Sequence, residues 1–239
     1  MTRRRWIADE FTDERAVLTG AHAAHLARTL RARVGQEFEV ACGDRVRSAT
    51  VTSVTVDRVE FALGEAVSSH NVVPVTLLLA VFKFDRMEWA IEKCTELNVT
   101  GMVPVIARRS GKHLAVAAEK RVERWRRIAR EAAEQSRRIA PPEIAAPARL
   151  KDALGRVGSG GALNIVLSET ERELPLRYAL DAKPDAASLA LAIGPEGGWT
   201  QEELQMFAEA QWIAASLGDT ILRAETAAIA AVAIASAEL

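Results

Sequence analysis

The sequence predicts a small, mainly β domain followed by a larger α/β domain built on a parallel sheet. Three observations point to this. Short stretches of alternating, β-branched residues fill positions 37–63. The segment GEAVSSHNVVP at 64–74 has the small and polar residues of a linker and ends in Pro74. After Pro74, short continuous apolar runs alternate with helical patterns, as in a sheet covered by helices on both faces.

In the first part, AHAAHLARTLR at 21–31 predicts a short helix, and Gly35-Gln36 a turn. EFEVACG (37–43), SATVTSV (48–54) and VDRVEFAL (56–63) predict strands separated by turns, which fits a compact barrel. In the second part, VTLLLAVF (75–82) reads as a strand buried on both faces. DRMEWAIEKCTEL (85–97) predicts a helix, because Met87, Ile91, Cys94 and Leu97 recur at spacings of three and four. Asp85 is the expected N-cap, and Asn98 the expected left-handed residue after the last turn. GMVPVIA (101–107) is a second strand, and residues 119–139 predict a long helix stopped by Pro141-Pro142. LNIVL (163–167), SLALAI (188–193) and WIAASL (212–217) are three further strands, and an alanine-rich helix at 224–237 follows. The expected domains are residues 1–70 and 71–239.

Composition narrows the function classes. The chain has 239 residues, 49% of them apolar, enough for a sizeable core. No apolar stretch approaches the roughly 20 residues that span a bilayer, and MTRRRWIADEF has no apolar run after its basic start, so neither membrane nor signal peptide is expected. Cys42 and Cys94 match no metal or redox spacing, and the four histidines show no paired spacing. Free thiols and no metal, in a reducing cytoplasm, are the expectation. Charge is uneven along the chain. Residues 101–140 carry eleven Lys and Arg against four Glu, a balance of +7, whereas residues 181–239 carry two against nine Asp and Glu, −7. A basic segment of this kind either holds a polyanion or solvates a helix face.

Ligands of parallel α/β sheets sit at the carboxyl ends of strands. Three such ends stand out: SET at 168–170, GPEGGWT at 194–200 and LGDTILR at 217–223. The middle one lacks both the G-x-G-x-x-G spacing and the Gly-Lys-Ser/Thr of a P-loop. Thr200 and Glu203 form a T-x-x-E capping box, and Glu202 adds a second carboxylate, so the helix start favours no phosphate. Gly194, Gly197 and Gly198 let the backbone approach a flat ligand, Pro195 stiffens the turn and Glu196 offers a carboxylate. An adenosyl compound with a cation and no phosphate suits these features, and S-adenosylmethionine is one; a plain strand-to-helix turn is the other reading. Arg223, the sole basic residue after Lys183, is either an ion-pair partner of Glu225 or Glu196 or a substrate contact.

IGPEGGWT followed by two glutamates, with LGDTILRAETA further on, resembles the C-terminal signature of the RsmE family, the uridine-N3 methyltransferases of small-subunit ribosomal RNA in the SPOUT superfamily. KFDRMEWAIEKCTELNV, then Pro104 and RRS at 108–110, resembles the family's first Rossmann-like segment; ERWRRIAREAAEQSRR followed by two prolines resembles its basic helix, and HLARTLRARVG at 25–35 its N-terminal domain. Asn98 stands where the family has Gly, a change its backbone tolerates. The resemblance implies a PUA-like β-barrel followed by a SPOUT-type parallel sheet with a C-terminal trefoil knot, in a homodimer. It implies S-adenosylmethionine bound by Leu167, Ser168 and Glu169, by Gly194, Pro195, Glu196, Gly197 and Gly198, and by Leu217, Gly218, Ile221, Leu222 and Arg223. Arg223 would stabilise the uracil anion, and Glu196 or Glu225 would orient Arg223 or take the proton. RNA would meet Arg3, Arg4, Arg5, His25, Arg28 and Arg31, then Arg108, Arg109 and Lys112, then Gln135, Ser136, Arg137 and Arg138. The expected substrate is 16S ribosomal RNA within the small subunit. Alternatives are methylation of a ribose 2′-hydroxyl and a non-catalytic RNA-binding assembly module. Trp89, Trp125 and Trp212 are expected in the core or a dimer contact, and Trp199 in packing at the helix start.

Overall fold

A computed structural model describes residues 5–43, 45–67, 73–157 and 161–238. The chain divides into two units, Met1–Asn71 with Ala133–Pro141, and Val72–Ala132 with Pro142–Leu239.

The first unit holds strands β1 (Arg5–Ile7), β2 (Glu10–Phe11) and β3 (Arg15–Thr19), a short helix α1 (Gly20–Ala24) that widens into a π turn at His25–Thr29, and strands β4 (Glu37–Cys42), β5 (Arg45–Val54) and β6 (Arg58–Val67). They form one sheet in the order β1-β4-β5-β6-β3-β2. Only β1 and β4 run parallel; the other pairs are antiparallel. Trp6, Leu18, Leu26, Val40, Val59 and Phe61 fill its core. A fully buried Trp6 is structural and not a surface for stacking bases. Two corrections follow. β1 to β3 were not expected, being too short to show a period. Gly64–Val67 are strand and not linker, because Ala66 and Val67 pair with Arg47 and Val46 of β5.

The second unit continues with β7 (Val75–Ala80), α2 (Phe84–Glu96), β8 (Gly101–Ile106), α3 (Lys112–Ala118), α4 (Val122–Gln135, its last residues counted with the first unit), β9 (Glu143–Ile144), β10 (Ala148–Arg149), α5 (Leu150–Arg156), β11 (Ala162–Leu167), α6 (Leu176–Leu180), β12 (Ser188–Ile193), α7 (Gln201–Glu209), β13 (Ile213–Ala215) and α8 (Ala224–Glu238). The sheet order is β10-β8-β7-β12-β11-β13, with β9 also on β8, and every pair is parallel. Alternate residues of β7 serve opposite faces. Leu77 and Leu79 join a core with Ile91, Trp125, Ile165, Leu191 and Val232, while Leu78 and Ala80 join one with Val105, Val166, Trp199, Phe207 and Trp212. A strand covered on both sides has no reason to alternate, which is why VTLLLA is apolar at every position but Thr76.

Three helix boundaries differ from expectation. The N-cap of α2 is Lys83, and Asp85 sits inside the first turn. The long helix expected over 119–139 is instead a 3₁₀ turn at Glu119–Arg121 followed by α4, and α3 precedes it at Lys112–Ala118. It ends at Gln135, before the prolines, because Arg137 adopts a left-handed backbone (φ 61°) that lets the Arg138 N–H reach the Ala133 carbonyl at 2.8 Å. Asn98 is left-handed as expected, at φ 72°. Burial raises both thiols, Cys94 to about 12, so neither is a nucleophile at neutral pH. Among the described residues, no helix is long and apolar enough to cross a membrane, and no cluster of His, Cys, Asp and Glu is placed to hold a metal ion.

Candidate active site

β12, β11 and β13 are neighbours in the sheet, so the loops after them lie side by side. They enclose a cavity of about 910 Å³, within the range of small-molecule sites. Leu167, Ser168, Glu169, Gly194, Pro195, Glu196, Gly198, Leu217, Gly218, Ile221, Leu222 and Arg223 all line it. Gly197 does not; its carbonyl accepts a hydrogen bond from Arg109. Residues not foreseen also contribute: Arg86 from α2, Glu171 and Arg172, Asp219 and Thr220, and Ala224 and Ala227 from α8.

The glycine turn is tight for identifiable reasons. The Gly198 N–H closes on the Pro195 carbonyl at 2.8 Å, with Gly198 left-handed at φ 69°. A Cβ on Gly198 would sit 2.8 Å from Glu169 Oε1, and one on Gly194 would sit 3.3 Å from the Trp199 indole nitrogen. Beyond the turn the capping box is formed. Glu203 accepts the Thr200 N–H at 2.9 Å, and Thr200 Oγ1 accepts the Glu203 N–H at 3.3 Å. The Thr200 and Glu203 N–H groups at the start of α7 are therefore taken by the protein's own oxygens, and Glu202 and Glu203 add negative charge there, which disfavours a phosphate.

Arg223 is exposed, and among the described residues its guanidinium makes no ion pair or hydrogen bond. The pairing with Glu225 is not formed. Glu225 lies in the first turn of α8, only 4% exposed, and faces Arg86, with Nη1 to Oε1 at 3.5 Å. Among the described residues its second oxygen has no hydrogen-bond partner. Nor is Arg223 paired with Glu196, which is exposed in the turn. Arg223 is thus left to the contents of the cavity.

The expected RNA contacts fall into different settings. Arg3 and Arg4 lie outside the described residues. Arg5 donates to Glu39 at 3.0 and 3.2 Å and to the Arg137 carbonyl, bracing the first unit. Arg28 and Arg31 are exposed, and His25 is half-buried. Gln135 and Arg137 are exposed; Ser136 bonds back to the Ala133 carbonyl at 3.4 Å. Burial pulls the Arg138 guanidinium down to about 10, still charged at neutral pH. In the loop after β8, Lys112 is exposed, Arg108 reaches Glu202 at 3.4 Å, and Arg109 turns inward onto the glycine turn.

A parallel sheet with a glycine-walled cavity at its strand ends is the architecture of an α/β enzyme for a small ligand. The RNA methyltransferase domain family matches residues 69–236. The chain belongs to the ribosomal RNA small subunit methyltransferase E family. It is 36% identical over 238 residues to the member from Synechocystis sp., covering 98% of this chain and 77% of that protein, and 30% identical over 217 residues to the member from Bacillus subtilis, covering 88% and 85%. Among solved structures, the methyltransferase E of Neisseria gonorrhoeae bound to S-adenosyl methionine is similar at a TM-score of 0.84 and 30% identity, covering 97% of this chain and 95% of that one.

Proposed function

We propose that this protein methylates N3 of a specific uridine in 16S small-subunit ribosomal RNA, with S-adenosylmethionine as methyl donor. The observation that carries this is a cavity of adenosyl-ligand size at the strand ends, walled by the Gly194–Gly198 turn and overlooked by an Arg223 that has no ion pair among the described residues. The residues present fit the donor. The Gly194–Gly198 turn is a cradle that a Cβ would fill, Leu167, Ile193, Leu217 and Leu222 supply apolar walls, and Glu169 and Glu196 place carboxylates near a cation.

When bound, S-adenosylmethionine supplies a methyl group already activated on a sulfonium. The protein's task is then to position the two reactants and manage charge. Uracil N3 is a poor nucleophile while protonated. Glu196, exposed in the turn, takes the N3 proton; Glu225 is less suited because it is buried against Arg86. Arg223 stabilises the anion that spreads onto O2 and O4.

On the same reading, residues 1–70 are a PUA-like RNA-binding barrel, residues 71–239 a SPOUT domain whose trefoil knot carries the three loops, and the protein acts as a cytoplasmic homodimer. A six-stranded, largely antiparallel sheet supports the first statement, and Trp89 of α2, 48% exposed, supports a dimer contact. Of the expected contacts, Arg28, Arg31, Arg108, Lys112 and Arg137 are exposed cations available to RNA, while the equally exposed Arg109 is engaged with the Gly197 carbonyl.

The test is methylation in vitro of naked 16S RNA and of isolated small subunits, followed by nucleoside mass spectrometry. 3-Methyluridine is expected; a methylated ribose would overturn the reading. Arg28→Ala with Arg31→Ala is expected to flatten the log–log salt dependence of RNA affinity by about 1.4, at roughly 0.7 per lost phosphate contact. An unchanged slope would remove these two from the RNA surface. Gly198→Ala is expected to weaken S-adenosylhomocysteine binding and to destabilise the fold by about 1–2 kcal/mol, the cost of left-handed backbone for a residue with a Cβ. Calorimetric titration and thermal melting read the two effects separately.

A further inference from the structure

We propose that Arg109 is a positioning residue for the donor-binding turn and not an RNA contact, although it lies in a basic loop beside Arg108. This rests on the reading of the cavity as the methyl-donor site.

The loop at 107–111 follows β8 and is anchored from below. Ser110 is buried; its hydroxyl donates to the Val81 carbonyl at 2.7 Å and accepts the Ala107 N–H at 3.3 Å, while its own N–H returns to the Ala107 carbonyl at 3.1 Å. That closes a tight turn and fixes the direction of the two arginines between. They then part company. The main chain of Arg108 does structural work, since its N–H donates to Glu203 Oε1 at 2.7 Å. Its side chain is 72% exposed and meets only Glu202. Arg109 is exposed as well, but its guanidinium is turned onto the glycine turn. One terminal nitrogen of its guanidinium donates to the Gly197 carbonyl and lies 3.5 Å from the Trp199 carbonyl. Its stem lies along Gly197, where a Cβ would meet Arg109 Cδ at 3.3 Å and Cβ at 3.6 Å.

Gly197 is the one residue of Gly194–Trp199 that does not line the cavity. Arg109 therefore holds the turn through Gly197, which leaves ligand space untouched, and through the main-chain carbonyl of Trp199. Charged donors make stronger hydrogen bonds than neutral ones, and two carbonyls of a short turn held from one guanidinium cannot drift independently. The turn keeps its shape before the ligand arrives, which lowers the ordering cost of binding.

The experiment uses the full-length protein, S-adenosylhomocysteine as the probe in isothermal titration calorimetry, and a short single-stranded RNA titrated at several salt concentrations. Arg109→Ala is expected to raise the Kd for S-adenosylhomocysteine about tenfold, the scale of one charged hydrogen bond, with the RNA salt slope unchanged. Arg109→Lys should recover part of the loss, because an ammonium can reach one of the two carbonyls. Arg108→Ala should do the opposite, leaving the probe's affinity alone and flattening the salt slope by about 0.7. Gly197→Ala keeps the cation but displaces its stem, and should weaken the probe without touching the slope; it decides the matter if Arg109→Ala fails to fold. Arg109→Ala or Gly197→Ala binding the probe like the parent overturns the proposal, as does a flattened slope in Arg109→Ala. Failure of the parent itself to bind S-adenosylhomocysteine would instead overturn the reading of the cavity.

Discussion

Arg223→Ala is expected to lower kcat by about 10²–10³-fold, the loss seen when one donor to a developing anion is removed, with little change in the Kd for S-adenosylhomocysteine. Glu225, two residues on, is committed to Arg86, and Glu196 stays in the turn, so the Arg223 guanidinium faces the cavity with no carboxylate to neutralise it. An unpaired cation is a liability for binding a sulfonium, so donor affinity is not what it improves. An anion forming on the uracil ring gives it a partner only as the reaction proceeds, and an interaction made mainly in the transition state shows in kcat. The sign of the pH effect follows. Without Arg223 nothing compensates the N3 anion, so proton removal becomes harder and the residual rate should climb more steeply with pH than that of the parent. Arg223→Lys should regain part of kcat as a point charge without the planar fork. Turnover equal to the parent's in Arg223→Ala, at unchanged donor affinity, would remove Arg223 from the chemistry.

Features set by neighbouring residues were legible in the sequence. The Thr200–Glu203 box spans four residues, and its formation followed from sequence spacing. Asn98 could be placed in left-handed backbone because helix ends have local signatures. The three strand ends were identified because buried parallel strands are continuous apolar runs, and twelve of the thirteen residues assigned to the donor line the cavity. What escaped depends on contacts distant in sequence. Arg86 lines the same cavity from the first turn of α2, and nothing near it in the chain announces Glu225 as its partner. Arg109 escaped for a different reason. Its acceptors are the carbonyls of Gly197 and Trp199, and a backbone carbonyl leaves no mark on composition. A basic loop therefore read as uniform, although its two arginines face different tasks. β1, β2 and β3 were invisible because two to five residues do not establish a period.

Trp125→Ala should destabilise the second unit by about 3–5 kcal/mol, the usual range for deleting a buried aromatic ring. A drop of that size is a large share of a stability of about 5–15 kcal/mol. Trp125 is fully buried on α4 and meets Phe84 edge-on, with ring centroids 6.0 Å apart. Arg121 in turn stands 4.7 Å over the Phe84 ring, and Glu88 of α2 holds both Arg121 and Arg124 at the start of α4. Phe84 opens the helix that presents Arg86 to the cavity two residues later, so the same substitution should also loosen Arg86 and weaken S-adenosylhomocysteine binding. Trp125→Phe separates volume from polarity. Among the described residues the Trp125 indole N–H is buried with no acceptor, which carries a penalty of about 1–3 kcal/mol. Phenylalanine leaves a void but removes that stranded donor, and the two effects oppose each other. Urea denaturation of the two variants should therefore give a midpoint far below the parent's for Trp125→Ala and near it for Trp125→Phe, with similar slopes. Equal losses in the two would mean that the indole N–H is satisfied, and that losing its partner, rather than the volume removed, sets the stability at this contact.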